Sequence, residues 1–203
     1  MFAKRHHLFA AAAATLAFGC AATAADAAGL FTLTSTTFQD GKMMPKKVSD
    51  SKANQPTNPN CVGDNVSPQL SWTNVPDGAK SFVLYVVDPE ARGGFGVNHW
   101  VAYGIPASVT GFAEGETSKQ TDKFVGGKST PGSAFYRGPC TPPGVSPHHY
   151  TFVLIATDLD PADLPPGLTR DEVTAKIMPP APAAPHTKGS AGLIGLFVNP
   201  WHE

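Results

Sequence analysis

Twenty glycines and twenty prolines interrupt this chain of 203 residues at short intervals. Proline removes a backbone hydrogen bond and breaks helices, and glycine weakens the interior of a helix. Long helices are therefore excluded, although the hydrophobic fraction of 41% is ordinary for a folded protein. The frequent glycines and prolines predict short strands joined by long loops, in a mainly β fold.

Six segments rich in β-branched or aromatic residues are predicted to form strands. They span residues 31–34, 70–73, 81–88, 98–105, 148–158 and 193–198. Between the first two, residues 38–60 are polar and are expected to form a loop, with or without an edge strand.

One helix is predicted after Thr169, which can cap it together with Glu172 three positions later. Its apolar stripe is expected to consist of Val173, Ile177 and Met178. The helix must end at Pro179 and Pro180, and the proline-alanine stretch 181–185 is expected to be extended and exposed.

The first 28 residues have the layout of a secretory signal peptide. Lys4 and Arg5 precede an apolar run over residues 8–18, and small residues follow up to Ala28. Because a membrane span needs about 20 apolar residues, we expect cleavage rather than anchoring. The expected organisation is a signal peptide over 1–27 and a single domain over 28–203, located in the periplasm or secreted.

Cys20 opens a second possibility for this segment, since lipoproteins are processed at a cysteine. Ala17 stands where a leucine is usual, and Phe18 is bulky. Association with a membrane is expected only if Cys20 is lipidated.

The charge of the mature chain argues against a nucleic-acid partner. Removing residues 1–27 takes away Lys4, Arg5 and Asp26, which leaves 13 basic and 15 acidic side chains and a formal charge of −2. Such a chain offers no basic surface for a phosphate backbone. Its length is that of one domain, which buries roughly 70% of its unfolded surface.

Cys61 and Cys140 are the two cysteines of the expected mature chain. In an oxidising compartment they are expected to form one stabilising disulfide, whereas a metal site would need more ligands close by. A pair of free buried thiols is the alternative.

Three predicted strands each carry one polar group on an otherwise apolar face, because side chains of a strand alternate between its two faces. The three faces are Phe82, Leu84, Val86 and Asp88; His99, Val101, Tyr103 and Ile105; and His148, Tyr150, Phe152 and Leu154. Polar groups on apolar faces are tolerated where they meet one another, water or a ligand. A shared pocket is the simplest common cause, although each histidine taken alone is more often structural.

Residues 136–144 are expected to form a rigid turn before the fifth of these strands. Its glycines would let backbone amides approach a ligand closely. The alternative is an ordinary surface loop.

Seven spaced motifs carry a further signal. They are CVGDNVSPQLSW at 61–72, VP at 75–76, KSF at 80–82, DPEA at 88–91, NHW at 98–100, GPC at 138–140 and HHY at 148–150. Together they resemble the bacterial branch of the phosphatidylethanolamine-binding protein family, also called the Raf kinase inhibitor-like proteins, and the similar region covers about residues 31–160.

The resemblance implies an antiparallel central sheet with a smaller flanking sheet and one or two short helices. It also implies a cavity for phosphate-bearing headgroups or other small anions. The residues expected to line that cavity are Asp88, His99, Gly138, Pro139, His148 and Tyr150, with Glu90, Arg92 and Trp100 as accessory residues.

Two departures from the family pattern concern this cavity. The usual Asp-Ala-Pro sequence is replaced by Glu90-Ala91-Arg92, which puts a long cation where a proline ring is usual. The family's usual second helix is replaced by residues 181–192, which are rich in proline and small residues.

These features predict a binding or regulatory protein for a small phosphorylated or other anionic ligand. The alternative is a protein that inhibits a protease-like or other partner through the loops around the pocket. No enzymatic activity, metal or cofactor is expected, because the chain has no G-x-S-x-G or H-E-x-x-H motif. Gly127-Lys128-Ser129 looks like the end of a phosphate loop, but Asp122 stands where that motif requires glycine.

Overall fold

A computed structural model describes residues 29–199, which form two sheets, two short α-helices and two 3-10 helices, Lys46–Val48 and Glu116–Ser118. The predicted signal peptide and Cys20 lie outside these residues. In chain order the elements are β1 (Thr32–Thr34), β2 (Lys42–Met43), β3 (Leu70–Thr73), β4 (Ser81–Asp88), α1 (Ala91–Gly94), β5 (Val97–Pro106), β6 (Gly111–Phe112), β7 (Val125–Gly126), β8 (His148–Thr157), α2 (Arg170–Ile177) and β9 (Thr187–Phe197).

The larger sheet of the described chain has six strands in the order β2-β9-β8-β4-β5-β7, and the smaller has three in the order β1-β3-β6. All pairs are antiparallel except β2 with β9. This architecture confirms the predicted mainly β fold with a smaller flanking sheet. The loop over 38–60 does contain an edge strand, β2.

The larger sheet is covered on both faces. On one face the small sheet packs against it around Trp72, Phe112, Phe82 and Phe152. On the other face lies a smaller apolar cluster. That cluster combines Val83, Tyr85, Val101 and Tyr103 with Val173 and Ile177 of α2. The central strand β4 is therefore buried on both sides.

The predicted helix forms as α2, and the predicted capping box is present. Thr169 accepts a hydrogen bond from the Glu172 amide, and the Glu172 carboxylate accepts one from the Thr169 amide. Val173 and Ile177 are buried as expected. The prediction that Met178 belongs to the apolar stripe was wrong, because the helix ends at Ile177 and the Met178 side chain is half exposed.

The last strand starts six residues earlier than predicted. Residues 187–192, taken from the sequence as part of a proline-rich replacement, pair with residues 153–157, the second half of β8. Gly189 and Gly192 made this part of the chain look like a loop in the sequence. A Cβ at Gly189 would lie 2.9 Å from Cγ of Pro76, so the glycine lets the strand pack closely on that proline. Further along the strand, Gly195 leaves room for Met44 and Phe38 in the same way. Residues 181–185 are exposed as expected but form a turn around Ala181-Pro182 rather than an extended segment.

The longest helix among residues 29–199, α2, has eight residues, and no helix in this part of the chain has the length and apolarity needed to cross a membrane.

Candidate functional site

One end of the larger sheet gathers the polar groups that the sequence singles out. Asp88 ends β4 and pairs with Val97 near the start of β5, while Val87 pairs with Thr151 near the start of β8. These strand ends surround a pocket of about 590 Å³. Asp88, His99, His148 and Tyr150 all line it. The walls are completed by Gln55, Asn58, Glu90, Ala91, Arg92, Gly93, Val97, Thr130, Pro131, Cys140, Thr141, Pro142 and Val145.

Asp88 is the most heavily used polar group of the pocket. One carboxylate oxygen accepts hydrogen bonds from the backbone amides of Glu90 and Ala91, each at 3.0 Å. The other lies 2.8 Å from Nδ1 of His148. Asp88 therefore fixes both the turn after β4 and the orientation of the His148 ring.

His99 reaches the pocket by a route that strand alternation does not predict. It was expected to share a face with Val101 and Tyr103, but those two side chains lie on the opposite face of the sheet, in the smaller apolar cluster. A register shift between Val86 and Val87, whose partners are Trp100 and Asn98, leaves His99 as an extra residue in β5. This bulge turns the His99 ring toward the pocket, where its centroid lies 5.1 Å from that of Tyr150.

The His99 ring is buried and held by the main chain. Its Nδ1 lies 3.0 Å from the carbonyl oxygen of Arg137. Burial lowers the pKa of His99, although the negative charge of Asp88 and the Arg137 carbonyl oppose that effect. The neutral ring is thus the favoured form in the free protein.

Tyr150 supplies a neutral hydroxyl to the pocket. Burial raises the pKa of Tyr150, and the negative charge of Asp88 raises it further. The hydroxyl lies 2.8 Å from the hydroxyl of Thr141, and either one can donate. The pair can offer a hydrogen bond to a ligand without carrying charge.

Glu90 and Arg92 lie at the rim of the pocket. Glu90 accepts hydrogen bonds from the backbone amide and from the ring of His149. Partial burial raises the pKa of Glu90, but these hydrogen bonds outweigh it and leave the pKa lowered. Arg92 is exposed, has a left-handed backbone (φ 56°), and forms no ion pair within residues 29–199.

Trp100, expected as an accessory residue, does not line the pocket. Its ring is buried in the larger core, where it packs edge-on against Phe124 and Tyr136. The bulge at His99 explains this position, because it sends Trp100 to the same face of β5 as the histidine but one residue deeper.

Gly138 and Pro139 lie behind the pocket wall rather than on its surface. The Gly138 amide donates to Oδ1 of Asn65, and the Pro139 carbonyl accepts from the Ser49 hydroxyl and the Asp50 amide. A Cβ on Gly138 would overlap the Val48 carbonyl oxygen. The glycine therefore permits a close backbone approach, and its amide is not free to cradle an anion.

Sequence reasoning missed the wall formed by Gln55 and Asn58, which come from a polar loop. Two contacts hold that loop in place. Gln55 donates to the carboxylate of the buried Asp50, and Cys61 is joined to Cys140 by the predicted disulfide. The predicted bridge was the available signal, because it brings the chain before Cys61 next to the motif that ends in Cys140.

Asp88, Glu90 and His148 bring oxygen and nitrogen atoms within 4.8 Å of one another, as a metal site would. The same carboxylates already accept hydrogen bonds from His148, His149 and backbone amides. These groups satisfy one another, and we assign no metal to them.

The Gly127-Lys128-Ser129 segment is not arranged as a phosphate loop. The amides of Gly127 and Lys128 donate to the carbonyls of Val101 and Leu168, each at 2.8 Å. The Ser129 amide donates to the Ser133 carbonyl. Backbone donors in this segment are therefore used within the fold.

Comparison with known protein families gives a match over most of the chain. The model of the family described as phosphatidylethanolamine-binding protein matches residues 34–187. Among curated relatives, a UPF0098 protein from Methanothermobacter thermautotrophicus is 39% identical over 144 residues, covering 70% of this chain and 89% of that protein. The putative lipoprotein LppC from Mycobacterium tuberculosis is 36% identical over 180 residues, covering 87% and 77%.

Two solved structures are also similar to this chain. YbcL from Escherichia coli, described as a new member of the mammalian PEBP family, superposes with a TM-score of 0.69 at 28% identity, covering 83% of this chain and 98% of that one. A putative phosphatidylethanolamine-binding protein homologue from Chlamydia trachomatis has a TM-score of 0.66 at 31% identity, covering 82% and 96%.

Proposed function

Because the chain belongs to the phosphatidylethanolamine-binding protein family, we propose that it is an exported binding protein whose pocket takes a small phosphorylated or other anionic ligand. The observation that carries the proposal is the convergence of Asp88, His99, His148 and Tyr150 on one pocket. Three separate strands deliver these groups, and a purely structural role would not require them to share a cavity.

The dimensions and lining of the pocket favour a ligand with a polar head and an organic remainder. Its 590 Å³ is within the range of small-molecule sites and exceeds what a bare phosphate needs. Imidazoles and the Tyr150 hydroxyl form the inner end, while Val97, Pro131, Pro142 and Val145 supply apolar contacts nearer the rim. Arg92 at the rim adds a cation that can meet a second anionic group.

Export is supported by three independent features. The N-terminal pattern is that of a signal peptide, the Cys61–Cys140 disulfide suits an oxidising compartment, and a relative is described as a putative lipoprotein. These features support our proposal that the protein is located in the periplasm or outside the cell. Fractionation of cells that express the full chain, with and without the first 27 residues, tests this location.

The binding proposal is tested by calorimetric titration of the purified protein with phosphorylethanolamine and with inorganic phosphate at pH 6 and pH 8. We expect saturable binding that is stronger at pH 6, where imidazoles can carry positive charge. The double variant His99→Ala with His148→Ala is expected to lose it.

The matched control is His186→Gln, because His186 pairs with Asp158 at the opposite end of β8. It is expected to bind as the unaltered protein does. If the double variant still binds these ligands, the pocket is not the binding site and the proposal is overturned.

A protein partner is the second candidate, and one observation favours it. Phe95 is 93% exposed at the end of the glycine-rich turn beside the pocket, and Val145 on the pocket rim is also exposed. An aromatic side chain so open to water is typical of contact surfaces. Periplasmic extract passed over immobilised protein and over its Phe95→Ser variant tests this candidate, which requires a partner retained only by the former.

A further inference from the structure

Within residues 29–199, two histidines line the pocket, and both use the same ring nitrogen for contacts within the protein. Nδ1 of His99 faces the carbonyl oxygen of Arg137 at 3.0 Å, and Nδ1 of His148 faces the carboxylate of Asp88 at 2.8 Å. A carbonyl oxygen and a carboxylate oxygen only accept hydrogen bonds. Both Nδ1 atoms must therefore carry a hydrogen, and Nε2 is the atom of each ring that is left for a ligand.

In a neutral imidazole with a hydrogen on Nδ1, Nε2 is an acceptor. A phosphate or sulfate oxygen is an acceptor as well. The two Nε2 atoms at the inner end of the pocket are therefore acceptors, and the Asp88 carboxylate close by accepts as well. The oxygen of an anion needs hydrogen-bond donors, which these atoms do not supply. A ring nitrogen can hold an anion oxygen only if a hydrogen is placed between the two atoms.

The two rings differ in their ability to accept that hydrogen. A proton on Nε2 of His148 creates an imidazolium whose other N–H already points at a carboxylate, so the new charge is neutralised within the pocket. A proton on His99 creates a charge in a ring that is only 7% exposed and whose Nδ1 partner is an uncharged carbonyl. The surroundings favour His148.

Burial lowers the pKa of His99 and outweighs the negative charges of Asp88 and Asp50, which favour a proton on that ring. Glu90 is bound to His149, Asp50 is bound to Arg137 behind the wall, and the Tyr150 hydroxyl is neutral. Among the described residues that line the pocket, Arg92 is the one cation, and it lies at the exposed rim.

We propose that the pocket takes up its anion together with one proton, which bonds to the Nε2 lone pair of His148. The proton comes from solvent, and the resulting N–H donates to an anion oxygen while Asp88 holds the imidazolium on its other side. This inference rests on the proposed anion-binding function and specifies its recognition chemistry. The ligand class is an oxyanion that brings no hydrogen of its own, such as a fully ionised sulfate or a phosphodiester.

Sulfate is the probe that isolates this proton, because it stays fully ionised above pH 6 and cannot take up the proton itself. We titrate sulfate into the purified protein at pH 8 by calorimetry in two buffers of different ionisation enthalpy, Tris and HEPES. The difference in heat between the buffers is expected to correspond to an uptake of about one proton per bound sulfate.

The same coupling fixes the pH dependence of affinity. Uptake of one proton makes the dissociation constant of sulfate rise about tenfold between pH 8 and pH 9, by linkage. His148→Gln supplies an uncharged N–H donor in place of the imidazolium. We expect this variant to bind sulfate with no proton uptake and a flat pH profile, while the distant His186→Gln variant keeps both.

The outcomes separate the two proposals. Sulfate binding with equal heats in both buffers overturns proton-coupled binding and leaves the anion-binding function intact. Proton uptake that persists in His148→Gln also overturns the inference, because the proton would then reside elsewhere. An absence of binding by sulfate and phosphate at every pH from 6 to 9 rejects the proposed function itself, and the inference with it.

Discussion

Asp50 and Arg137 form an ion pair directly behind the pocket, with Nε of the arginine 3.1 Å from a carboxylate oxygen. The aspartate is fully buried, and it also accepts hydrogen bonds from Asn54 and Gln55. The arginine carbonyl faces His99. One pair thus fixes two walls of the pocket, the loop that carries Gln55 and the backbone that orients His99.

Arg137→Gln tests the importance of this pair. It leaves a buried carboxylate without its countercharge, which costs about 3 kcal/mol in the free energy of unfolding. Urea denaturation at pH 7 measures the change. Arg92→Gln, at an exposed arginine without an ion pair in the described chain, is the matched control and is expected to stay within about 0.5 kcal/mol.

His99 predicts how stability depends on pH. Burial lowers its pKa from the ordinary value of 6.5, so the unfolded chain binds a proton at a higher pH than the folded protein does. Protonation therefore favours unfolding: the contribution of His99 to stability is complete above pH 6.5 and is lost as pH falls through the lower folded pKa. We expect the urea midpoint to fall from pH 7 to pH 5, and to fall less in His99→Gln. An identical decline in both proteins would refute this assignment.

The Cys61–Cys140 disulfide closes a loop of 79 residues. In the chain-entropy model such a loop contributes about 4.5 kcal/mol to the free energy of unfolding. Replacing both cysteines with serine is expected to cost most of that amount. The test is denaturation of the variant beside the oxidised protein, and a loss below about 1 kcal/mol would show that the bridge does little for stability.

Gly138→Ala probes the close backbone approach behind the pocket. The new methyl group overlaps the Val48 carbonyl oxygen and forces the 136–144 segment outward, at a cost of about 3 kcal/mol. Gly192→Ala is the control, because its added Cβ meets nothing closer than 3.9 Å. If thermal unfolding gives equal losses for both variants, steric exclusion at residue 138 is not the reason for the glycine.

Thr169→Ala removes the cap of α2. The helix loses the hydrogen bond from the Glu172 amide to the threonine hydroxyl, and we expect a loss of about 1 kcal/mol in the free energy of unfolding. Thr169→Ser keeps an acceptor and restores most of it. Since α2 covers the face of the sheet opposite the larger core, ligand affinity is expected to remain unchanged in both variants.

Much of the site follows from strand alternation, and the exceptions have identifiable causes. The period of two correctly put Asp88, His148 and Tyr150 on the face that borders the pocket. It failed for His99, because a bulge is not visible in the pattern of residue types. His99 does reach the pocket, but the bulge in β5 brings it there and the alternation of side chains does not.

Long-range contacts account for what the sequence left out. Gln55 and Asn58 join the wall only because a disulfide and the buried Asp50 draw their loop across the pocket mouth. The first half of β9 was not predicted because Gly189 and Gly192 look like loop residues when read alone, although Gly189 lets the strand pack closely on Pro76. Both features depend on partners more than 70 positions away along the chain.

The position of β4 between β5 and β8 has a consequence for how the protein folds. Its pairing with β8 joins Ser81 to Thr157, so a long loop must close before the centre of the sheet exists. Domains dominated by such distant strand pairings fold in milliseconds to seconds. Since the pocket lies at the ends of these strands, we expect it to mature late in folding, and the amide protons of β4 to be among the slowest to exchange with solvent.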